Sequence, residues 1–246
     1  MSAIIGNYMK KLIELKNVAK YYYMGDSIVK ALDGVNISIE EGDFVAIMGP
    51  SGSGKSTGMN LTGSLDYATK GEIYLDGVDI EHLSESELAQ IRGKKIGFIF
   101  QSFNLIPNLT ALENVALPMM FQGVGEIERK ERARTLLEMV DLGDRLDHYP
   151  NQLSGGQQQR VAIARSLANE PEIILADEPT GNLDSKTGEM VIHFLEELNE
   201  KGRTIIMVTH DPNLAMKHAK TIYWLKDGKV EKVTKKISGK WKVVNN

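Results

Sequence analysis

Residues 49–57 constrain this chain more than any other stretch, because they fit the pattern G-x-x-x-x-G-K-[ST] of a phosphate-binding loop. The preceding residues, 44–48, are an apolar run that predicts a buried strand. Glycines and short serines let backbone N–H groups turn inward toward an oxyanion, and a helix beginning after the loop adds partial positive charge there. The loop comprises Gly49, Pro50, Ser51, Gly52, Ser53, Gly54, Lys55, Ser56 and Thr57.

Two side chains of this loop are predicted to take part in phosphate chemistry. Lys55 would reach the β- and γ-phosphates of a nucleotide, and the Ser56 hydroxyl would be a ligand of Mg²⁺. The alternative interpretation is a Gly-Ser loop that binds no ligand, in which case the match to the pattern would be a coincidence.

Composition narrows the class of protein. The 246 residues are 42% hydrophobic and 25% charged, which is ordinary for one large domain or a domain with a subdomain. The formal net charge of −4 gives no support for a nucleic-acid partner, and the absence of cysteine excludes disulfides, thiolate zinc sites and iron–sulfur clusters. No run of 18 apolar residues predicts a membrane span, and residues 1–11 lack the apolar core of a secretory signal, so we expect an intracellular chain.

Alternating polar and apolar residues before the loop, over 12–39, predict antiparallel strands with one wet face. Three tyrosines, 21–23, lie in this region. From the residues alone they favour strand packing, and an aromatic shelf beneath a nucleotide base is the alternative.

Turn and capping patterns organise the chain after the loop. A helix is predicted over 57–65, with Gly58 an unfavourable residue in its interior. Asp76-Gly77 predicts a β-hairpin, Ser84-x-x-Glu87 a capping box for a helix that runs to about Ile91, and residues 95–100 another strand.

Residues 102–160 have a helical pattern between two strand-rich halves and predict an inserted subdomain. Thr110-x-x-Glu113 is a second capping box, and residues 126–140 have amphipathic spacing. At the end of this block Ser154 is placed to cap a helix beside two glycines, which makes a second anion-binding helix end without a lysine.

Besides the strand that precedes the phosphate-binding loop, two strand ends are predicted to present polar residues toward one edge of a sheet. The strand at 173–176 ends in Asp177 and Glu178, and the strand at 204–209 ends in His210. Ligands of open α/β sheets bind at the carboxyl ends of the strands, so these side chains are expected to face the phosphate-binding loop.

The C-terminal residues 229–246 contain six lysines and one glutamate. The pattern favours a frayed, solvated tail. Contact with anionic lipid or with a partner subunit is the alternative.

Together with the loop, the string Leu153-Ser154-Gly155-Gly156-Gln157 resembles the signature of ATP-binding cassette (ABC) transporter nucleotide-binding subunits, and the resemblance covers about residues 12–230. Phe103–Pro107, Pro150–Gln152 and Asn182–Asp184 resemble the lipoprotein-release and macrolide-export ATPases more closely. Two residues depart from this subgroup: Gly58 replaces a bulkier residue, and Ser64 stands where relatives often have cysteine, which suggested engineering for labelling.

The resemblance implies an α/β fold with a P-loop NTPase core and a mainly parallel sheet. An N-terminal antiparallel β subdomain and an inserted α-helical subdomain would complete a single ABC ATPase domain over 12–230. Within it, 12–100 and 161–230 would form the core and β subdomain, and 102–160 the helical subdomain. Residues 1–11 and 231–246 would be terminal extensions.

The resemblance also implies roles at matching positions. Tyr22 would stack on adenine, Gln101 would sense Mg²⁺ and the γ-phosphate, Asp177 would be associated with Mg²⁺, Glu178 would be the catalytic carboxylate and His210 would contact the γ-phosphate. Asp184 lies in the loop that would cross to a partner subunit. The signature residues Ser154, Gly155, Gly156 and Gln157 would complete the site of a second copy.

The implied activity is Mg²⁺-dependent ATP hydrolysis by two copies that enclose two ATP molecules. Hydrolysis would drive a separate transmembrane permease of the export type from the cytoplasmic face of the membrane. The helical block, especially residues 101–115, would form the docking surface. Two alternatives stay open at this point: an ATPase that drives a non-transporting membrane partner, as in cell-division complexes, and a non-membrane member of the superfamily. Because members of the last group carry two cassettes, zinc modules or long coiled coils, this sequence fits it poorly.

Overall fold

The computed structural model describes residues 10–25 and 27–244. These residues form a four-stranded antiparallel sheet in the order β2-β1-β4-β5 and a seven-stranded sheet in the order β11-β10-β9-β3-β8-β7-β6. The strands are β1 (Lys11–Met24), β2 (Ser27–Glu40), β3 (Phe44–Met48), β4 (Lys70–Leu75), β5 (Val78–Asp79), β6 (Ile96–Ile99), β7 (Ile173–Asp177), β8 (Thr204–Thr209), β9 (Thr221–Lys226), β10 (Lys229–Ile237) and β11 (Lys240–Val244). The helices are α1 (Lys55–Thr62), α2 (Glu85–Lys95), α3 (Ala111–Phe121), α4 (Glu126–Met139), α5 (Gly155–Ser166), α6 (Ser185–Glu200) and α7 (Pro212–His218).

Strand β3 lies between β9 and β8 in the parallel part of the larger sheet, and all five of its residues are buried. Its side chains alternate between two cores. Phe44, Ala46 and Met48 pack with the helices α3–α7, while Val45 and Ile47 pack with the antiparallel sheet and α1. The larger sheet is therefore the middle of three layers, as the apolar run of β3 predicts, because a strand covered on both faces needs apolar residues at every position.

The predicted turn and caps are confirmed, and two helix ends differ from prediction. Asp76 and Gly77 both have positive φ in a two-residue hairpin, and the capping boxes at Ser84 and Thr110 are present. Helix α1 ends at Thr62 rather than at residue 65, and α2 continues to Lys95 rather than ending near Ile91. At the end of this helix the ammonium group of Lys95 bonds to Asp76 at 2.7 Å and Glu172 at 2.5 Å, contacts between distant segments that local patterns do not contain.

The helical block between β6 and β7 consists of α3, α4 and α5, which pack against one another. Residues 122–125 separate α3 from α4. The predicted boundary between residues 160 and 161 falls inside α5, so the helical block and the core share one continuous helix.

The expectation of a frayed C-terminal tail is wrong. Residues 229–237 form β10, which pairs with β9, and residues 240–244 form β11, which pairs with β10. Val233 is buried, and Trp241 packs against the helical core, so apolar residues between the lysines hold this hairpin on the sheet.

The expected terminal extensions lie partly outside the described residues, since 1–9 and 245–246 are among those not described. The prediction that residues 1–11 are not a secretory signal concerns mostly that part of the chain. Among the helices of the described residues, none has both the length and the apolar character needed to cross a bilayer.

Candidate nucleotide site

The phosphate-binding loop connects the buried strand β3 to helix α1. At Gly49 and Gly54 any side chain would collide with backbone carbonyls, of Leu225 and Ala31 respectively, and Gly54 also has a φ of 99°. The loop is therefore packed closely against β2 and β9. Because Gly54 caps α1 without a side-chain bond, the first N–H groups of this helix have no side-chain cap at the loop.

Lys55 folds back onto this loop. Its ammonium group donates hydrogen bonds to the carbonyl oxygens of Gly49 at 2.7 Å and Pro50 at 2.9 Å. These contacts hold the positive charge over the loop.

Lys55, Glu178 and His210 line one open pocket of about 730 Å³ beside the loop. Strands β3, β7 and β8 are neighbours and parallel, so their carboxyl ends meet at the same edge of the sheet, as predicted. There, His210 Nδ1 lies 2.7 Å from Glu178 Oε1. A cation, a carboxylate and an imidazole thus converge on one cavity.

Asp177, the last residue of β7, is partly buried. Burial raises the pKa of its carboxyl group, the neighbouring Glu178 carboxylate raises it further, and Lys55 opposes both effects. No hydrogen bond of the described residues involves this carboxylate. A desolvated carboxylate without a donor, next to a second carboxylate, is chemically suited to a hard divalent cation, and the hydroxyl of Ser56 and amide oxygen of Gln101 are of the same ligand class.

Gln101, however, does not line this pocket. It lies beside Gly181, where an added side chain would collide with its amide, and its carbonyl oxygen accepts a hydrogen bond from Asn182 at 2.8 Å. The residue is therefore attached to the loop that follows Glu178.

The second predicted anion-binding end, at Ser154, lies in a different place. Ser154 caps α5 in a capping box with Gln157, and this end lines a pocket of about 170 Å³ with parts of α4 and α6. None of the residues lining this pocket also lines the pocket around Lys55. Within one chain, the two anion-binding ends do not form a common site.

Asp184 is engaged by its own helix. Its carboxylate caps α6 by accepting hydrogen bonds from the N–H of Thr187 at 3.0 Å and from the Thr187 hydroxyl at 2.7 Å, and these bonds lower its pKa. The residue thus stands at the start of the helix that borders the Ser154 pocket.

Tyr22 lies on β1 opposite Val29 of β2, with 39% of its surface exposed. Its hydroxyl donates to Asp66 at 3.1 Å, and the Lys20 ammonium lies 5.2 Å from the centre of its ring. Val29 is two residues before Ala31 in β2, and the Ala31 carbonyl lies against Gly54. Tyr22 is therefore near the loop without lining the pocket.

Sequence reasoning missed three residues that hold this region together. Arg165 donates to the carbonyls of Phe103 and Asn104, at 2.8 Å and 2.5 Å. Asn114 is fully buried and bonds the backbone of residues 106–110. Gln159 is fully buried and donates to the carbonyl of Pro179 at 2.8 Å. The signal for Gln159 was its helical spacing from Ala162 and Ile163, which places it on a buried face.

Comparison with known proteins identifies relatives over almost the whole chain. A family model described as "ABC transporter" matches residues 32–181. An uncharacterized ABC transporter ATP-binding protein of Thermotoga maritima is 55% identical over 229 residues, covering 93% of this chain and 97% of that protein. The macrolide export ATP-binding/permease protein MacB of Aggregatibacter actinomycetemcomitans is 52% identical over 234 residues, covering 95% of this chain and 36% of the longer protein.

A solved structure shares the fold. The ATP-binding cassette MJ0796, an uncharacterized ABC transporter ATP-binding protein of Methanocaldococcus jannaschii, was solved as a dimer in a post-hydrolysis state bound to ADP and Pi. It matches with a TM-score of 0.85 and 55% sequence identity, over 91% of this chain and 98% of that one.

Proposed function

This chain belongs to the ABC transporter family of ATP-binding proteins, and on that premise we propose that it is the ATP-hydrolysing subunit of an export-type transporter. The observation that carries the proposal is the convergence of Lys55, Glu178 and His210 on one pocket beside the phosphate-binding loop. Each of these side chains suits one requirement of phosphoryl transfer to water: charge stabilisation, activation of the nucleophile and orientation.

The loop and Lys55 would bind the phosphates of the nucleotide. The N–H groups of residues 49–57 would hold the phosphates, and the Lys55 ammonium would exchange its two carbonyl contacts for β- and γ-phosphate oxygens. This exchange replaces neutral acceptors with charged ones, which form stronger hydrogen bonds. The exposed ring of Tyr22 would support the adenine base.

Chemistry would depend on Glu178. Its carboxylate would accept a proton from, or polarise, a water molecule that attacks the γ-phosphate in line, while His210 would hold the γ-phosphate and orient the water. The 2.7 Å contact between the two side chains already fixes the position of this carboxylate relative to the imidazole. Lys55 and the loop N–H groups would stabilise the charge that spreads over the phosphoryl oxygens.

Mg²⁺ would be held by Ser56, Asp177 and Gln101, and when bound it neutralises phosphate charge. The partly buried Asp177 carboxylate, which accepts no hydrogen bond from the part of the chain that the structure describes, supports this role. Gln101 would join the site through the loop at Gly181, with which it is in contact.

Two copies are needed for a complete site. Because Ser154 and Lys55 line separate pockets within one chain, the helix end at 154–157 would meet the nucleotide on a second copy, and the loop containing Asp184 would lie at the interface. The similar cassette MJ0796 was solved as a dimer, which supports this assembly. A two-fold arrangement produces two equivalent ATP sites.

A separate transmembrane permease would be the partner driven by hydrolysis, and the subunit would lie on the cytoplasmic face of the membrane. The similarity to macrolide export ATP-binding/permease proteins supports both the partner and the export direction. The docking surface would lie within residues 101–115, a segment held in place by Arg165 and Asn114.

Replacement of the catalytic carboxylate tests the proposal. Glu178→Gln keeps the size of the side chain but removes its basicity, so ATP turnover should fall at least about a hundredfold while ATP binding persists. The variant should then elute as a dimer in gel filtration with Mg-ATP and as a monomer without nucleotide. Hydrolysis at the rate of the unmodified chain, or a monomer under both conditions, would contradict the assigned role or the assembly.

A further inference from the structure

The buried amide of Gln159 has no role in the site as proposed. Gln159 lies in α5 with its side chain fully buried. Its Nε2 donates to the carbonyl of Pro179 at 2.8 Å, whereas its Oε1 has no hydrogen-bond partner among the described residues. Burial of an amide with an unused acceptor is unfavourable, so packing alone would favour an apolar residue here.

The bond from Gln159 stabilises an unusual stretch of backbone. Pro179 directly follows Glu178, which has a φ of 44°, in the left-handed region that non-glycine residues rarely adopt. A residue before proline is restricted further. The N–H of Glu178 donates to Val208 at 2.9 Å and its carbonyl accepts from Gly181 at 3.0 Å. Of the described side chains, Gln159 alone donates a hydrogen bond to the main chain of residues 178–181.

The position of Gln159 in α5 connects two sites. The first turn of α5 carries Ser154–Gln157, which the proposed function places against the nucleotide of the partner copy. Gln159 is five residues after Ser154, about 7.5 Å along the same helix. In that assembly one helix would contact the partner's site at its end, while about one turn later it bonds to the peptide beside Glu178 of its own site.

We propose that Gln159 is a positioning residue that couples the docking of α5 on the partner copy's nucleotide to the placement of Glu178 in the chain's own pocket. The inference rests on the proposed function of α5 and Glu178 and adds a connection between the two ATP sites. Gln159 acts through Pro179, without touching the reacting atoms, so its loss lowers turnover and leaves nucleotide binding in place.

The first test is Gln159→Met, which keeps the length of the side chain and removes its hydrogen bond. Gln158→Met is the matched control, because Gln158 is adjacent in α5 and donates only to Leu153 at 3.1 Å in the same segment. Gln159→Met should lower kcat for ATP at least tenfold with KM within twofold, and the control should change kcat less than twofold. When combined with Glu178→Gln, Gln159→Met should still allow the Mg-ATP dimer.

The second test, Gln159→Glu, separates positioning from packing by its pH profile. An ionised glutamate has no proton to donate to Pro179, but a protonated one does, and burial raises the pKa of a carboxyl group toward neutrality. The ratio of its kcat to that of the unmodified chain should therefore rise severalfold as the pH is lowered from 8 to 6. The ratio is taken per folded molecule, with the folded fraction measured by circular dichroism at each pH, because ionisation of a buried carboxyl group also destabilises the fold. A purely structural role would leave this corrected ratio flat.

The outcomes distinguish the coupling from the function on which it rests. If the unmodified chain does not hydrolyse ATP, the proposed function fails. If it does, the coupling is overturned by unchanged kcat in Gln159→Met, by an equal loss in Gln158→Met, by loss of the dimer or by a flat ratio in Gln159→Glu. If Gln159→Met does not fold, the pH profile of Gln159→Glu decides.

Discussion

Gly58 is a buried glycine inside α1 with a negative φ, so neither its backbone conformation nor its surroundings require the absence of a side chain. An added Cβ would lie 3.9 Å from Leu225 Cδ2, an ordinary contact. Gly63, which caps the same helix, has less space around it. An added Cβ there would lie 2.7 Å from the ring of Phe98 and 2.9 Å from Leu175. Nothing in the structure explains the glycine at position 58.

Gly58→Ala should therefore stabilise the protein. Alanine in a helix interior is favoured over glycine by about 1 kcal/mol, which corresponds to a rise in Tm of about 2–4 °C for a chain of this size. Gly63→Ala is the control and should lower the stability by about 1–3 kcal/mol through overpacking. Thermal unfolding measures both, and a lower Tm for Gly58→Ala would mean that the contact with Leu225 is not relaxed.

Asp177 should limit stability when the site has no ligand. Its pKa is raised above the ordinary value of 3.8, so the folded state holds its proton more tightly than the unfolded state does. Stability is accordingly lost as the pH rises from 3.8 through the folded pKa. Asp177→Asn should raise the Tm of the nucleotide-free protein at pH 7 by about 1–3 °C.

Two measurements accompany this variant. The advantage of Asp177→Asn should shrink as the pH is lowered toward 3.8, and Mg²⁺-dependent ATP turnover should fall at least about tenfold with the loss of a carboxylate ligand. If the Tm difference between Asp177→Asn and the unmodified protein does not change with pH, the carboxylate charge is not the cause of that difference.

At the scale of elements, the larger sheet should stay protected against association through its edge when β11 is removed, but not when both β10 and β11 are removed. Without β11, the new edge of the sheet is β10, which presents Lys232, Lys235 and Lys236. Lysines on an edge strand hinder pairing with another chain. Without β10 as well, the edge would be β9, whose residues 222–225 are apolar or aromatic.

Two truncations check this difference. A chain ending at Ile237 should remain monomeric without nucleotide, with a Tm lower by a few degrees, since it loses the packing of Trp241. A chain ending at Gly228 should aggregate, because it exposes β9 and removes the buried Val233. Light scattering measures the association of the two truncated chains, and thermal unfolding measures their stability. If the chain ending at Gly228 is monodisperse, the exposed β9 edge does not cause aggregation.

At the scale of the whole molecule, Lys55 and Ser154 line separate pockets, and the proposed assembly would make each chain half of two sites. Lys55→Ala removes the cation of one half, and Ser154→Arg places a bulky side chain on the other. Each variant alone has no intact composite site in its homodimer. A mixed dimer of the two has one intact site, formed by the loop of one copy and the helix end of the other.

Mixing the two inactive variants should therefore restore ATPase activity to about a quarter of that of the unmodified protein, since half of the dimers are mixed and half of their sites are intact. Titration of one variant into the other, with phosphate release as the measurement, checks this expectation. The control is the double variant, Lys55→Ala with Ser154→Arg, mixed with Lys55→Ala, because no dimer in that mixture has an intact loop and its activity should stay at the background level. Absence of restoration would favour a site within one chain.

The sequence by itself determined the features that depend on neighbours along the chain. The loop after β3, the caps at Ser84, Thr110, Ser154 and Asp184, and the polar residues after β7 and β8 follow from local spacing, because capping, turns and strand burial are local interactions. The parallel sheet then made the convergence of Lys55, Glu178 and His210 predictable.

Only the tertiary structure decided what depends on segments far apart in the chain. It placed Ser154 away from Lys55, ordered the lysine-rich C-terminus against β9, and set the amide of Gln159 against Pro179, 20 residues later. None of these has a local signature, because a lysine-rich strand resembles a solvated tail until a neighbouring strand edge pairs with it. Likewise, a buried amide resembles any polar residue of a helix until the backbone that it contacts is in place.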